Sequence, residues 1–189
     1  MSGHESLMRA ALDEAARALA AGEFPVGVVL AAQGAIVGRG SRCNSGRGSR
    51  NEIDHAEIRA LRALVRERPD LDPAGLTVYS TLEPCLMCYS ALLLSGVRRI
   101  VWAYEDVMGG GTGLDLQRLA PLYRDMQVEL RGQVLRRESL ALFQQFFRTY
   151  DYWQGSLLAR YGKSKEGCYV AIPAQAGMAM ANKIGRAHV

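Results

Sequence analysis

The sequence predicts a single α/β domain in which strands and helices alternate around one sheet. Three observations predict it. The 189 residues suit one domain and bury enough surface for a single core. Apolar residues recur at helical spacing in some stretches and as short strand-like runs bounded by turn residues in others. Two short His and Cys motifs each open a helix that follows a sheet strand or its loop.

Residues 5–21 form the first helix, with Met8, Leu12, Ala15 and Leu19 at helical spacing. Arg9, Asp13, Glu14 and Arg17 lie elsewhere around the cylinder, and Gly22 is a natural C-terminal cap. Phe24-Pro25-Val26-Gly27 leads into the strand Val28-Val29-Leu30-Ala31. Gln33-Gly34 turns a hairpin, and Ala35-Ile36-Val37 starts the return strand.

A loop over residues 39–50 follows. It carries Arg39, Arg42, Arg47 and Arg50 and no acid, a local charge of +4 that equals that of the whole chain. The loop is either a rim that contacts phosphate or a solvated segment. Asn44 within it is either a hydrogen-bonding partner for a sugar or base edge or a turn residue.

The second helix is expected from about Ile53, with Asp54 as its cap or first-turn acid and Ile58, Leu61, Leu64 and Val65 as its buried stripe. That places His55 and Glu57 in its first turn. Pro69, Pro73 and Gly75 mark a loop, and Leu76-Thr77-Val78-Tyr79-Ser80 is a strand. A third helix runs from about Cys85 to Leu94 and stops at Gly96. Residues 98–103 form the next strand, and a Gly-rich loop spans residues 105–113. Its Gly109, Gly110 and Gly111 lack the Gly-Lys-Ser/Thr ending of a phosphate loop, so the loop closes over a site or merely turns. Residues 126–130 read as a last short strand, and Leu135, Leu140, Leu142, Phe143, Phe146 and Phe147 mark a final helix to about Tyr150. The stretch from Arg148 to Trp153 stacks on unpaired bases or packs its aromatics on the core.

Composition is ordinary for a globular chain, with 49% hydrophobic and 22% charged residues. No apolar run approaches a membrane span, and residues 1–9 show no signal peptide. Four cysteines suit a reducing, cytoplasmic compartment better than a disulfide scaffold. The net charge of +4 is too mild to predict nucleic acid by itself. A single domain is expected over residues 1–160, with a loosely structured tail over 161–189, where the composition turns linker-like from Gly162. Residues 183–189 resemble a translated sequencing adapter and are set aside from fold reasoning.

The chemistry rests on His55-Ala56-Glu57 and Pro84-Cys85-Leu86-Met87-Cys88. Cys thiolate and His nitrogen suit zinc, and three protein ligands leave a fourth position for water. Cys85 and Cys88, at i and i+3, share a helical face at a helix N-terminus, where the dipole favours thiolate. Glu57, two residues from the His, lies beside such a metal without binding it and is suited to carry protons. These parts read as a hydrolase with a proton shuttle. Two other readings use some of the same residues. A closed structural zinc site needs a fourth ligand, for which Cys43 is the nearby candidate. A redox C-x-x-C pair leaves His55 and Glu57 without a role.

H-x-E followed by P-C-x-x-C is the known signature of zinc nucleobase deaminases. Further matches lie at His4-Glu5, Met8-Arg9, Ala11-Leu12, Pro25-Val26-Gly27, Asn44, Ile58, Thr81-Leu82-Glu83 and Phe146-Phe147-Arg148. Over roughly residues 4–150 the chain resembles the cytidine deaminase-like superfamily, and within it the bacterial tRNA-specific adenosine deaminases. The resemblance implies a three-layer α/β/α sandwich around a five-stranded mixed sheet, usually as a homodimer. It implies one Zn2+ per subunit on His55, Cys85 and Cys88, and Glu57 as the catalytic proton shuttle. It implies substrate contacts from Asn44, Ala56, Pro25 and Val26. The substrate implied is wobble adenosine in a tRNA anticodon loop, splayed out to reach the metal. Asn51-Glu52-Ile53-Asp54 and the acids Glu105 and Asp106 depart from the tRNA enzymes. They keep open a free nucleobase or nucleoside substrate, such as guanine or cytosine.

Overall fold

The computed structural model describes residues 3–43, 45, 51–151 and 153–163. Asn44, Arg47, Arg50 and the tail from residue 164 onward, with the adapter-like segment, lie outside the described residues.

The sheet has five strands in the order β2-β1-β3-β4-β5. They are β1 (Gly27–Ala32), β2 (Ala35–Ser41), β3 (Leu76–Leu82), β4 (Arg99–Tyr104) and β5 (Glu129–Arg131). β1 is antiparallel to β2 and β3, whereas β3, β4 and β5 run parallel. This is the expected mixed sheet.

Its two faces follow from strand alternation. Val29 and Ala31 of β1 pack with Met8, Ala11 and Leu12 of α1 (Gly3–Ala20). Val28 and Leu30 pack with Ala56, Ala60, Leu61 and Leu64 of α2 (Ala56–Glu67) and with Tyr89, Leu92 and Leu93 of α3 (Leu86–Leu94). Gly40 on β2 is what lets α2 lie so close. A Cβ there would stand 2.2 Å from the Ala56 carbonyl oxygen.

The first helix ends as its sequence predicts. Gly22 takes φ +80, and its N–H reaches the Leu19 carbonyl. The second helix starts later than expected, at Ala56. Asn51 Oδ1 accepts from the N–H of both Ile53 and Asp54, which ties a turn ahead of the helix. Asp54 is not its cap. It faces Arg62 and Asn51, and His55 is the N-cap residue, in extended conformation. Val65, expected inside, is 61% exposed, and Ile58 is only half-buried. Ala56 and Ala60 take the buried stripe instead.

The chain after β4 holds further differences. A short helix, α4 (Pro121–Arg124), begins at a proline, as Pro suits the first turn. The last strand therefore starts at Glu129 rather than Met126, and Met126 and Val128 pack half-buried on the core. α5 (Arg136–Thr149) is the expected final helix, but α6 (Leu157–Lys163) follows it. α6 crosses the expected domain boundary at residue 160, because Leu158 and Ala159 bury on the core and Tyr161 stacks on Tyr104. No described helix is long and apolar enough to cross a membrane.

Candidate active site

His55 and Cys85 occupy the same place on two helices. Each is an N-cap residue with extended backbone, at φ −62 and ψ 157 and at φ −65 and ψ 168. Neither side chain caps its own helix, so both are free to point at a common centre. Cys88, three residues on, is buried on the inner side of α3. The donor atoms of His55, Cys85 and Cys88 lie within 4.8 Å of one another.

His55 Nδ1 stands 3.5 Å from both sulfurs. Tetrahedral zinc with its usual N and S bond lengths would set such atoms about 3.6 Å apart, so the spacing fits that ion. Nε2 of the ring faces away, 3.7 Å from Glu52 Oε2. Cys43 belongs to no such cluster among the described residues, so the closed four-ligand reading loses its fourth ligand.

Electrostatics couple the three donors to one another. The bond from Cys88 brings the Cys85 thiol down to about 4, against burial and with help from His55. That same bond and burial push Cys88 up. Burial opposes protonation of His55, but its bonds to Cys85 and Glu52 win and raise it to about 9.

Glu57 lies beside this centre, 3% exposed. Its Oε1 accepts from Ser80 Oγ at 3.4 Å, and its Oε2 is 3.5 Å from Cys88 Sγ. Burial raises its pKa above the usual carboxylate range. A carboxyl in that state is suited to take and return a proton.

The centre floors a cavity of about 120 Å³. This is well under the roughly 300 Å³ at which sites for drug-sized ligands begin, so it suits one flat ring system. Val26 and Ala56 line it, and Pro25 does not. Extended backbone alternates its side chains, so Phe24 and Val26 share the cavity side. Asn44 lies outside the described residues.

Glu52, Glu83 and Leu158 also line the cavity, with no site role in the sequence reading, and so do Asp106 and Met108 of the Gly-rich loop and Arg42 of the Arg-rich one. Trp153 also lines the cavity while packing against Phe24, so its aromatic stretch serves both core and site. Arg42 is neither rim nor solvated loop. It is 5% exposed and pairs with Glu52 at 2.6 Å, while Arg39 pairs with Glu14. The Gly-rich loop packs against the metal motif. Gly111 N–H donates to the Pro84 carbonyl, and a Cβ on Gly111 would meet the Leu86 backbone at 2.6 Å.

Of the two acids after Tyr104, Glu105 is paired within the fold, whereas Asp106 lines the cavity. Glu105 is clasped by Arg136 and Tyr161 Oη, and burial of its carboxyl is outweighed by those bonds, which lower its pKa. Asp106 Oδ1 accepts from Met108 and Gly109 N–H, and burial raises its pKa against them.

Residues 1–104 match the family model of the cytidine and deoxycytidylate deaminase zinc-binding region. The tRNA-specific adenosine deaminase of Bacillus subtilis (strain 168) is 33% identical over 148 residues, covering 78% of this chain and 91% of its own. A solved structure from work on A-to-I editing by tRNA:A34 deaminases superimposes with a TM-score of 0.59 at 27% identity, covering 72% of this chain and 98% of that one. Guanine deaminase from Nitrosomonas europaea shares the fold, with a TM-score of 0.61 at 22% identity over 75% of this chain and 83% of that one.

Proposed function

The chain belongs to the cytidine and deoxycytidylate deaminase family, and from that membership we propose that it converts adenosine at the wobble position of tRNA to inosine. It is a zinc-dependent hydrolytic deaminase. The finer reading rests on the tRNA-specific relatives and on a cavity sized for one base, with the rest of the substrate outside.

In the proposed site, His55 Nδ1 and the sulfurs of Cys85 and Cys88 hold the metal. Zinc bound there lowers the pKa of a water toward neutrality and so supplies the nucleophile. Glu57 takes the water's proton as attack on C6 begins, delivers it to ring N1, and then relays the proton of the new C6 hydroxyl to the amino group, which leaves as ammonia while C6 becomes a carbonyl. Ser80 Oγ steadies Oε1 of that carboxylate throughout. Val26, Ala56 and Phe24 enclose the splayed base, Pro25 joins Phe24 to Val26 in the segment ahead of β1, and Asn44 is proposed as a further nucleoside contact. The observation that carries this reading is one buried carboxylate, Glu57, set against a cluster of three zinc donors.

A homodimer belongs to the same proposal. α2 and α3 pack side by side; Val65 of α2 is 61% exposed, Leu94 of α3 is 58% exposed, and Leu86 of α3 and Ile53 in the turn ahead of α2 are exposed as well. Such a face suits a second copy. A cytoplasmic setting suits Cys43, Cys85 and Cys88 as free thiols, and residues 164–189 are proposed to lie outside the deaminase domain.

The test is inosine formation and ammonia release by the zinc-loaded protein. An anticodon stem-loop with wobble adenosine is set against free adenosine, adenine, guanine, cytosine and cytidine. Inosine in the RNA is the expected result. Turnover of a free base with the RNA untouched overturns the RNA reading and makes this a salvage-type enzyme.

A further inference from the structure

His55 presents one ring nitrogen to the donor cluster and the other to a carboxylate. Nδ1 stands 3.5 Å from the sulfurs of Cys85 and Cys88. Nε2 faces away from them, 3.7 Å from Glu52 Oε2, and makes no hydrogen bond among the described residues.

Glu52 is held from two directions. Its backbone belongs to the turn ahead of α2, where Asn51 Oδ1 accepts from the N–H of Ile53 and of Asp54. The same Oε2 that faces His55 accepts from Arg42 Nη2 at 2.6 Å. Arg42 is itself fixed. It is 5% exposed, its backbone N–H donates to the Val26 carbonyl, and its Nη2 lies 3.4 Å from the Asn51 carbonyl. The Glu52 side chain is 46% exposed, and with no anchor a glutamate of that exposure does little for a neighbour. The buried guanidinium keeps this carboxylate beside the imidazole.

A neutral imidazole carries one hydrogen, and only its bare nitrogen can bind a metal. The hydrogen bond made by the other nitrogen decides which one is bare, and a carboxylate in that place also raises the basicity of the ligand. The 3.7 Å separation is an ion-pair distance. A shift of about 0.5–1 Å by the Glu52 side chain turns it into a hydrogen bond.

Resting on the zinc deaminase reading above, we propose that Glu52 is a positioning residue for the metal. Its carboxylate accepts the Nε2–H of His55, keeps that hydrogen on Nε2, and so leaves Nδ1 bare toward Cys85 and Cys88. Arg42 acts one step further out, by holding Glu52 in place. Glu52 touches neither the metal nor the substrate in this role.

The experiment reads the ring and the metal separately. Zinc-loaded protein with isotope-labelled histidine is compared with Glu52→Gln, which keeps the shape and loses the charge. A second variant, Arg42→Met with Glu52→Leu, removes both charges so that neither is left buried alone. The chain has three histidines, so the ring signals are few enough to assign. NMR reports which nitrogen of His55 carries the hydrogen and how fast it exchanges with water. Competition with a chelator reports zinc affinity. In the natural protein the hydrogen should sit on Nε2 and exchange slowly. In the double variant it should exchange at least about tenfold faster, and zinc should bind about 10- to 100-fold more weakly. Glu52→Gln should fall between, since an uncharged acceptor makes the weaker bond. Unchanged exchange and zinc affinity in Glu52→Gln or in the double variant overturn the inference, as does a natural protein with the hydrogen on Nδ1. A natural protein that takes up no zinc takes down the deaminase reading and this inference with it. Zinc uptake and deamination that respond to neither variant take down this inference alone.

Discussion

Glu57 Oε2 lies 3.5 Å from Cys88 Sγ, so a carboxylate of α2 meets a thiol of α3 across the floor of the cavity. The two helices start from different sheet loops, and only their packing side by side brings these groups together. Glu57→Gln keeps the shape and the bond from Ser80 but cannot carry a proton. Turnover should fall by about 10²- to 10⁴-fold with zinc content intact by elemental analysis. Near-normal ammonia release would remove Glu57 from the mechanism.

The metal donors make a separate prediction. Cys85→Ser and Cys88→Ser should each lose zinc on gel filtration, whereas Cys43→Ser should retain it, because Cys43 stands outside the cluster. Chelation should lower the thermal midpoint of the natural protein, since an ion that binds only the folded chain stabilises it. A chelated protein that melts unchanged would argue against a resident metal.

Gly40 links fold to site. A Cβ there collides with the Ala56 carbonyl oxygen and Ala60 backbone, at the very turn of α2 that carries His55 and Glu57. Gly40→Ala should cost about 1–3 kcal/mol and weaken zinc retention at the same time. Loss of stability with full zinc affinity would separate the two.

α6 is fastened by charge as well as by packing. Tyr161 Oη donates to Glu105, which also holds Arg136. The folded-state pKa of Glu105 is lowered, so its contribution is present above the ordinary glutamate range and is lost as pH falls through the depressed value. Tyr161 is raised to about 12, mainly by burial and then by its bond to Glu105, so its share is lost as pH rises from the ordinary tyrosine value to that point. Hydrogen exchange over residues 157–163 should therefore be slowest, relative to its intrinsic rate, between those limits. Glu105→Gln should speed it by about tenfold or more, and unchanged exchange would refute the fastening role.

The exposed face of α2 and α3 is tested by charge. Val65→Glu and Leu94→Glu together should turn a dimer into a monomer in sedimentation velocity. A natural protein that sediments as a monomer at all concentrations would dismiss that face as an interface.

The grouping of His55, Cys85 and Cys88 with Glu57 beside them was legible in the sequence because much of their placement is local. A residue at i+2 from a His, or a Cys at i+3 from a Cys, keeps its relation wherever the helix lies. The helix starts were less legible, since Asn51 tied a turn that delayed α2 to Ala56. The burial of Val65 was misjudged because periodicity marks an apolar stripe and not what covers it.

By itself the sequence determined the α/β class, the hairpin and the donor types, all written in spacing and composition. Tertiary structure alone decided that Arg42, Asp106 and Trp153, from three separate loops, line one cavity. It also decided that α6 closes over Tyr104. The physical reason is that burial and hydrogen-bond satisfaction belong to surroundings that distant segments supply. An arginine in a Gly- and Ser-rich stretch reads as solvated until Glu52 and the pocket wall enclose it.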